Sequence, residues 1–164
     1  VFSATRPDAQ ASLLASLLSK PQEITVERDP LKRGPIRQGA LFMEDTQKAA
    51  FLKTFFSRAP KTRSIVFVRT KAEADQLAAT LRKAGFAAAP LHADLTQDKR
   101  TSTLASFGSG RRFILVATDV AARGLDIAAV AQVINYDVPE QPETYLHRIG
   151  RTGRAGQKGS ALTL

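Results

Sequence analysis

Ser64-Ile65-Val66-Phe67-Val68-Arg69-Thr70-Lys71-Ala72-Glu73 holds the change of pattern that decides the fold. Its first five residues form an almost unbroken β-branched and aromatic run, the composition of a strand buried on both faces of a parallel sheet. Thr70 then stands three residues ahead of Glu73, the spacing of a capping box, in which the Thr70 hydroxyl accepts from the Glu73 amide. A buried strand followed at once by a capped helix is the repeating unit of an α/β protein. Gly85 ends that helix in the C′ position, where a left-handed residue is wanted.

Downstream the alternation continues. Residues 87–91 read as a strand, and 97–107 as a helix closed by Gly108. Residues 113–117 and 130–136 read as two further strands, a short helix starts after Pro142, and 160–164 reads as a last strand. Upstream, 40–43 reads as a strand, and Leu52, Phe55 and Phe56 mark one face of a helix. The stretch 28–35 carries two prolines, a glycine and several charges without apolar periodicity, as a linker does. Ahead of it, Leu13, Leu14, Leu17 and Leu18 recur at helical spacing up to Pro21, and 23–27 alternates like a short strand.

Length and composition set the outer limits. The chain has 164 residues, enough for one ordinary domain and too few for two. There is no signal-peptide pattern and no apolar run of the ~18 residues that a span requires, so no membrane partner is expected. The absence of cysteine excludes disulfides and thiolate metal sites and agrees with a cytoplasmic protein. Net charge is +9, from 24 basic and 15 acidic residues, which favours a polyanionic partner.

In a parallel sheet, ligands sit beyond the carboxyl ends of the strands. Three polar clusters are expected there: 92–100, 118–126 and 147–154. The last is the most informative. Arg148, Arg151 and Arg154 are spaced three apart, with a glycine immediately before Arg151 and Arg154. Guanidinium groups stay charged and offer a planar fork of donors suited to phosphoryl oxygens. The plainer alternative is a solvated basic turn or flexible Arg-Gly tract. The flanking aromatic and apolar residues Tyr145, Leu146 and Ile149 count against it.

His147-Arg148-Ile149-Gly150-Arg151-Thr152-Gly153-Arg154 resembles motif VI of DEAD-box helicases at every position. Ala117-Thr118-Asp119-Val120-Ala121-Ala122-Arg123-Gly124-Leu125-Asp126-Ile127 resembles motif V as closely, and residues 65–70 resemble motif IV. Ser3-Ala4-Thr5 is similar to motif III, which ends the first RecA-like domain of that family. One departure stands at Ala93, where the family usually has glycine. The resemblance implies a RecA-like parallel sheet with helices on both faces. It divides the chain into a tail of the first domain (1–27), a linker (28–36) and a second RecA-like domain (37–164), truncated at its C-terminus.

The same resemblance implies roles. Arg151 and Arg154 would be arginine fingers on the γ-phosphate of ATP, with Asp126 on the ribose hydroxyls, Gly124 beside it and His147 linking the nucleotide site to the first domain. Thr70, Arg100 and Thr118 would touch the sugar-phosphate backbone of single-stranded or duplex RNA. Four of these residues also have a plainer reading: Asp126 as a turn cap, His147 as a packing residue, Thr70 as a helix cap alone and Arg100 as decoration of a helix face. Asp94 and Asp119 are read as orienting loops.

Neither a G-x-x-x-x-G-K-[ST] loop nor an Asp-Glu-Ala-Asp segment occurs. Half of a composite site is therefore expected: the first domain of the same parent chain would hold Mg2+ and most of the ATP, and this fragment alone would be inactive. A DNA helicase, a degenerate helicase domain serving as a scaffold, and an adenylate-binding α/β protein remain as competing readings.

Overall fold

A computed structural model describes residues 35–58, 62–111, 113–122, 130–154 and 156–164. The expected helix and strand within 1–27 and nearly all of the linker lie outside the described residues, as do Gly124 and Asp126.

Six strands form one sheet: β1 (Ile36–Ala40), β2 (Ser64–Phe67), β3 (Ala88–Leu91), β4 (Ile114–Ala117), β5 (Gln132–Asn135) and β6 (Gly159–Thr163). Their order across the sheet is β1-β6-β5-β2-β4-β3, and every pairing between these strands is parallel. Five helices connect them: α1 (Asp45–Arg58), α2 (Lys71–Lys83), α3 (Gln97–Gly108), α4 (Asp119–Ala122) and α5 (Pro142–Ile149).

The side-chain period of two sorts each strand's residues between two cores. Val66 and Val68 face α1 and α2, meeting Leu52, Phe56, Leu77 and Leu81. Ile65 and Phe67 face the opposite side, meeting Phe107 of α3, Ala121 of α4 and Ile149 of α5. Crossovers between parallel strands share one hand. Connections running from β1 toward β3 (through α1 and α2) therefore share one face, and those running back (through α3, α4 and α5) share the other. This is the RecA-like α/β fold expected from the sequence.

Local chemistry fixes several boundaries as read. The α2 capping box is complete: the Glu73 amide donates to Thr70 Oγ1 at 3.2 Å, and the Thr70 amide donates to Glu73 Oε2 at 2.8 Å. Gly85 has φ 88° directly after the Ala84 cap, and Pro142 opens α5.

Three boundaries are corrected. The first strand is Ile36–Ala40 rather than 40–43. Its residues are mostly exposed, and backbone pairing with β6 sets its place, so apolar patterning points to the wrong stretch. Phe42, part of the run that suggested a strand, is fully exposed at 101%. Gly108 does not close α3 but is its last residue; Ser109 caps it and Gly110 takes the left-handed φ of 75°. The run 130–136 contributes only Gln132–Asn135 to the sheet, and Val130 makes a separate bridge to Thr152.

Candidate functional site

The carboxyl ends of β2, β3 and β4 converge on an open cleft of about 620 Å³ lined by Arg69, Thr70, Lys71, Ala72, Ala93, Thr118 and Val120. Thr70 enters it as the cap of α2. Thr118 enters it directly after β4, only 7% exposed, with its amide donating to the Leu91 carbonyl at 3.1 Å. Lys71 Nζ lies 2.6 Å from Asp94 Oδ1, tying the first turn of α2 to the loop after β3. Two residues predicted to touch RNA thus share one cleft.

Arg100 arrives differently. It sits in the first turn of α3, and its Nη2 donates to the Ala121 carbonyl of α4 at 3.0 Å. It therefore holds the short helix that begins right after Thr118. A smaller cleft of about 390 Å³, with Asp45, Lys48, Arg69, Glu73 and Tyr136 among its lining residues, contains none of the predicted site residues. There the Lys48 ammonium, by hydrogen bond first and by charge second, holds the Asp45 carboxyl below the usual carboxylate range.

The arginine-glycine segment is at the opposite end of the sheet. The Thr152 hydroxyl donates to the Val130 carbonyl at 2.6 Å and also lies 3.0 Å from the Ala131 carbonyl, both just ahead of β5. The Val130 amide donates to the Arg151 carbonyl at 3.3 Å. The expectation that all three polar clusters lie beyond the carboxyl ends is corrected here. It fails for Arg151 and Thr152 because α5 starts above β5 and carries the chain back down, so the segment after α5 emerges at the amino ends.

In this position the arginines are built in rather than left on a solvated turn. Arg154 Nε donates to the Gly150 carbonyl at 2.9 Å, and Gly153 takes the left-handed φ of 67° between the two arginines. Burial first, and the neighbouring Arg154 charge second, push the Arg151 guanidinium below its ordinary pKa. His147 lies half-buried on the last turn of α5. Among the described residues no group of three or more His, Asp or Glu side chains could hold a metal ion.

Reading the sequence missed Arg148. Its side chain is 4% exposed and donates to both oxygens of Asp119, each at 2.8 Å, to Asn135 Oδ1 at 3.3 Å and to the Asp137 carbonyl at 2.6 Å. The guanidinium also stands 5.1 Å from the centre of the Phe67 ring. One signal was available: alone of the three arginines, Arg148 has no glycine before it and lies within the helical pattern. Asp119 orients its surroundings, as read, through this pair.

Residues 47–156 match the family model for the helicase conserved C-terminal domain. In solved structures, the Escherichia coli DEAD-box protein SrmB, bound to regulator of ribonuclease activity A, is 42% identical with a TM-score of 0.70. The match covers 84% of this chain and 78% of that one. The chain is a DEAD-box helicase C-terminal domain. The DEAD-box ATP-dependent RNA helicase CshA of Bacillus cereus is 44% identical over 162 residues, 99% of this chain and 31% of that protein. CshA of Bacillus subtilis is 43% identical over 163 residues, 33% of its length. The chain thus spans about a third of the length of these relatives. Saccharomyces cerevisiae Dbp5 bound to RNA and ADP BeF3 shares the fold at a TM-score of 0.79, with 32% identity over 99% of this chain and 43% of that one.

Proposed function

We propose that this DEAD-box domain is the second motor domain of an ATP-dependent RNA helicase, supplying arginine fingers at one end of its sheet and half of an RNA backbone track at the other. The observation that carries this reading is the separation itself. A guanidinium pair sits at the amino ends of the strands, and a cleft containing Thr70 and Thr118, with Arg100 gripping the adjacent helix, sits at the carboxyl ends.

Each end has a task suited to its chemistry. Charge on a transferring phosphoryl group is stabilised best by donors already in place where water is excluded. Arg151, half-buried, and Arg154, anchored through its Nε, meet that description. At the other end, hydroxyls and cations around an open cleft suit contacts to phosphate and sugar, which position a strand without reading its sequence. Asp126 and Gly124 are assigned to the ribose and His147 to the contact with the first domain, all by family resemblance. The first RecA-like domain supplies the phosphate-cradling loop and magnesium, so this fragment alone is inactive. The whole protein acts on RNA in the cytoplasm.

The test is steady-state ATPase activity of the full-length parent at saturating RNA. Arg151→Ala and Arg154→Ala should each lower turnover by about 10³ or more, the scale of an arginine finger. Near-normal turnover in both would overturn the assignment, and an inactive wild-type parent would favour the scaffold reading.

A further inference from the structure

Arg148 belongs to both ends of the domain at once. Its side chain is held at the carboxyl ends, by Asp119 next to Thr118, by Asn135 at the end of β5 and by the Asp137 carbonyl. Its backbone carbonyl accepts the Arg151 amide at 3.0 Å, and Arg151 in turn accepts from Val130 at the amino end. One residue therefore links Thr118, through Asp119, to Arg151. α4, which Asp119 opens, is also gripped at Ala121 by Arg100.

We infer that Arg148 is a positioning residue that couples RNA occupancy of the cleft to the placement of the Arg151–Arg154 pair. The inference rests on the functional reading above. A buried bidentate ion pair adds little net stability, because desolvating two charges offsets their attraction, whereas breaking it leaves a buried charge uncompensated. Such a pair favours one arrangement strongly over any intermediate one. A shift of Thr118 on binding a phosphate backbone moves Asp119, and Arg148 follows as a unit with the backbone that holds Arg151. Arg148 touches neither ligand in this scheme; it acts through Asp119 and Arg151.

The experiment uses the full-length parent. RNA affinity is measured by fluorescence anisotropy with and without a non-hydrolysable ATP analogue, and the ratio of the two affinities gives the coupling. Asp119→Asn keeps the shape of the side chain and removes its charge; Arg148→Lys keeps charge and removes the fork. Each should lower the ratio by about tenfold, within the usual range of allosteric coupling. RNA affinity without nucleotide, and nucleotide affinity without RNA, should change little. The double variant should be no worse than either single one, because both remove one interaction. An unchanged ratio in a folded variant overturns the inference, as does a fall in both separate affinities at constant ratio, which marks a merely structural role. Hydrogen exchange on the wild type is independent of whether the variants fold. RNA alone should slow exchange of the Arg151 amide, and no change there sinks the proposal. Arg151→Ala and Arg154→Ala, run in parallel, separate the failures: near-normal turnover in both rejects the functional reading, while lost turnover with intact coupling in Asp119→Asn rejects only this inference.

Discussion

Gly159, the first residue of β6, and Thr152, in the arginine segment, pack with no space between them for a methyl group. A Cβ on Gly159 would overlap the Thr152 hydroxyl and lie 2.6 Å from the Gly153 amide nitrogen. The same hydroxyl fastens the segment to the Val130 and Ala131 carbonyls. Gly159→Ala should therefore lower stability by ~1–3 kcal/mol, as overpacking does. It should also lower RNA-stimulated turnover, although Gly159 lies in the strand and outside the arginine segment. Urea denaturation and ATPase assays on one preparation check both, and wild-type values in each would show that the close approach constrains nothing.

The capping box carries a second prediction. The Thr70 hydroxyl lies 2.9 Å from Glu73 Oε2, and the Thr70 amide donates to that same oxygen, so both Thr70 donors point at Glu73. A phosphate oxygen is an acceptor and must compete with Glu73 for them. Glu73→Ala should then cost ~1 kcal/mol of stability, as losing a cap does, while raising RNA affinity. Thr70→Ala should cost a similar amount and lower RNA affinity. If both substitutions change stability alone, Thr70 is a cap and nothing more.

How much of the molecule is legible in the sequence depends on which forces act locally. Ser64–Phe67 and α2 were legible because a strand buried on both faces must be apolar throughout and a capping box is four consecutive residues. β1 was not, because its place comes from hydrogen bonds to β6, more than a hundred residues away, and its side chains stay exposed. Thr118 could be placed beyond the carboxyl end of β4 because it directly follows that strand, whereas its grouping with Thr70, three residues past β2, came from the family resemblance. The position of Arg151 required the length and direction of α5, and Arg148 required knowing that its partner Asp119 is 29 residues away in sequence.

Arg100 should contribute to RNA affinity mainly as a charge. One nitrogen of its fork is engaged with Ala121, which leaves the cation beside α4 with donors to spare. Arg100→Ala should weaken binding of the full-length parent to unrelated single strands by similar factors. It should also reduce the slope of log affinity against log salt by about one, the loss of one phosphate contact. A loss confined to one sequence, or a full-sized salt slope, would place Arg100 in the structure of α4 rather than on the RNA.

The environment of Arg151 makes a prediction about pH that wild-type enzyme cannot display. Burial and the adjacent Arg154 charge both lower its pKa, yet a guanidinium starts so high that it stays protonated throughout the working range. Lysine at the same place starts at about 10.4 and feels the same two effects in the same direction. Its charged form, the only one able to stabilise a phosphoryl group, is therefore present at lower pH and lost as pH rises. Arg151→Lys should accordingly show turnover well below wild type at every pH, since an ammonium lacks the planar fork. It should also decline further as pH rises from neutrality toward ~10, because the depressed ammonium titrates below its ordinary value. The measurement is turnover of the full-length parent at saturating ATP and RNA across that range, divided by wild type at each pH to cancel other titrations. A ratio that stays flat would mean that position 151 is solvated during turnover, which is incompatible with a finger enclosed against phosphate. A ratio that rises with pH would mean that the lysine charge hinders the reaction, placing the site's need for positive charge on Arg154 alone.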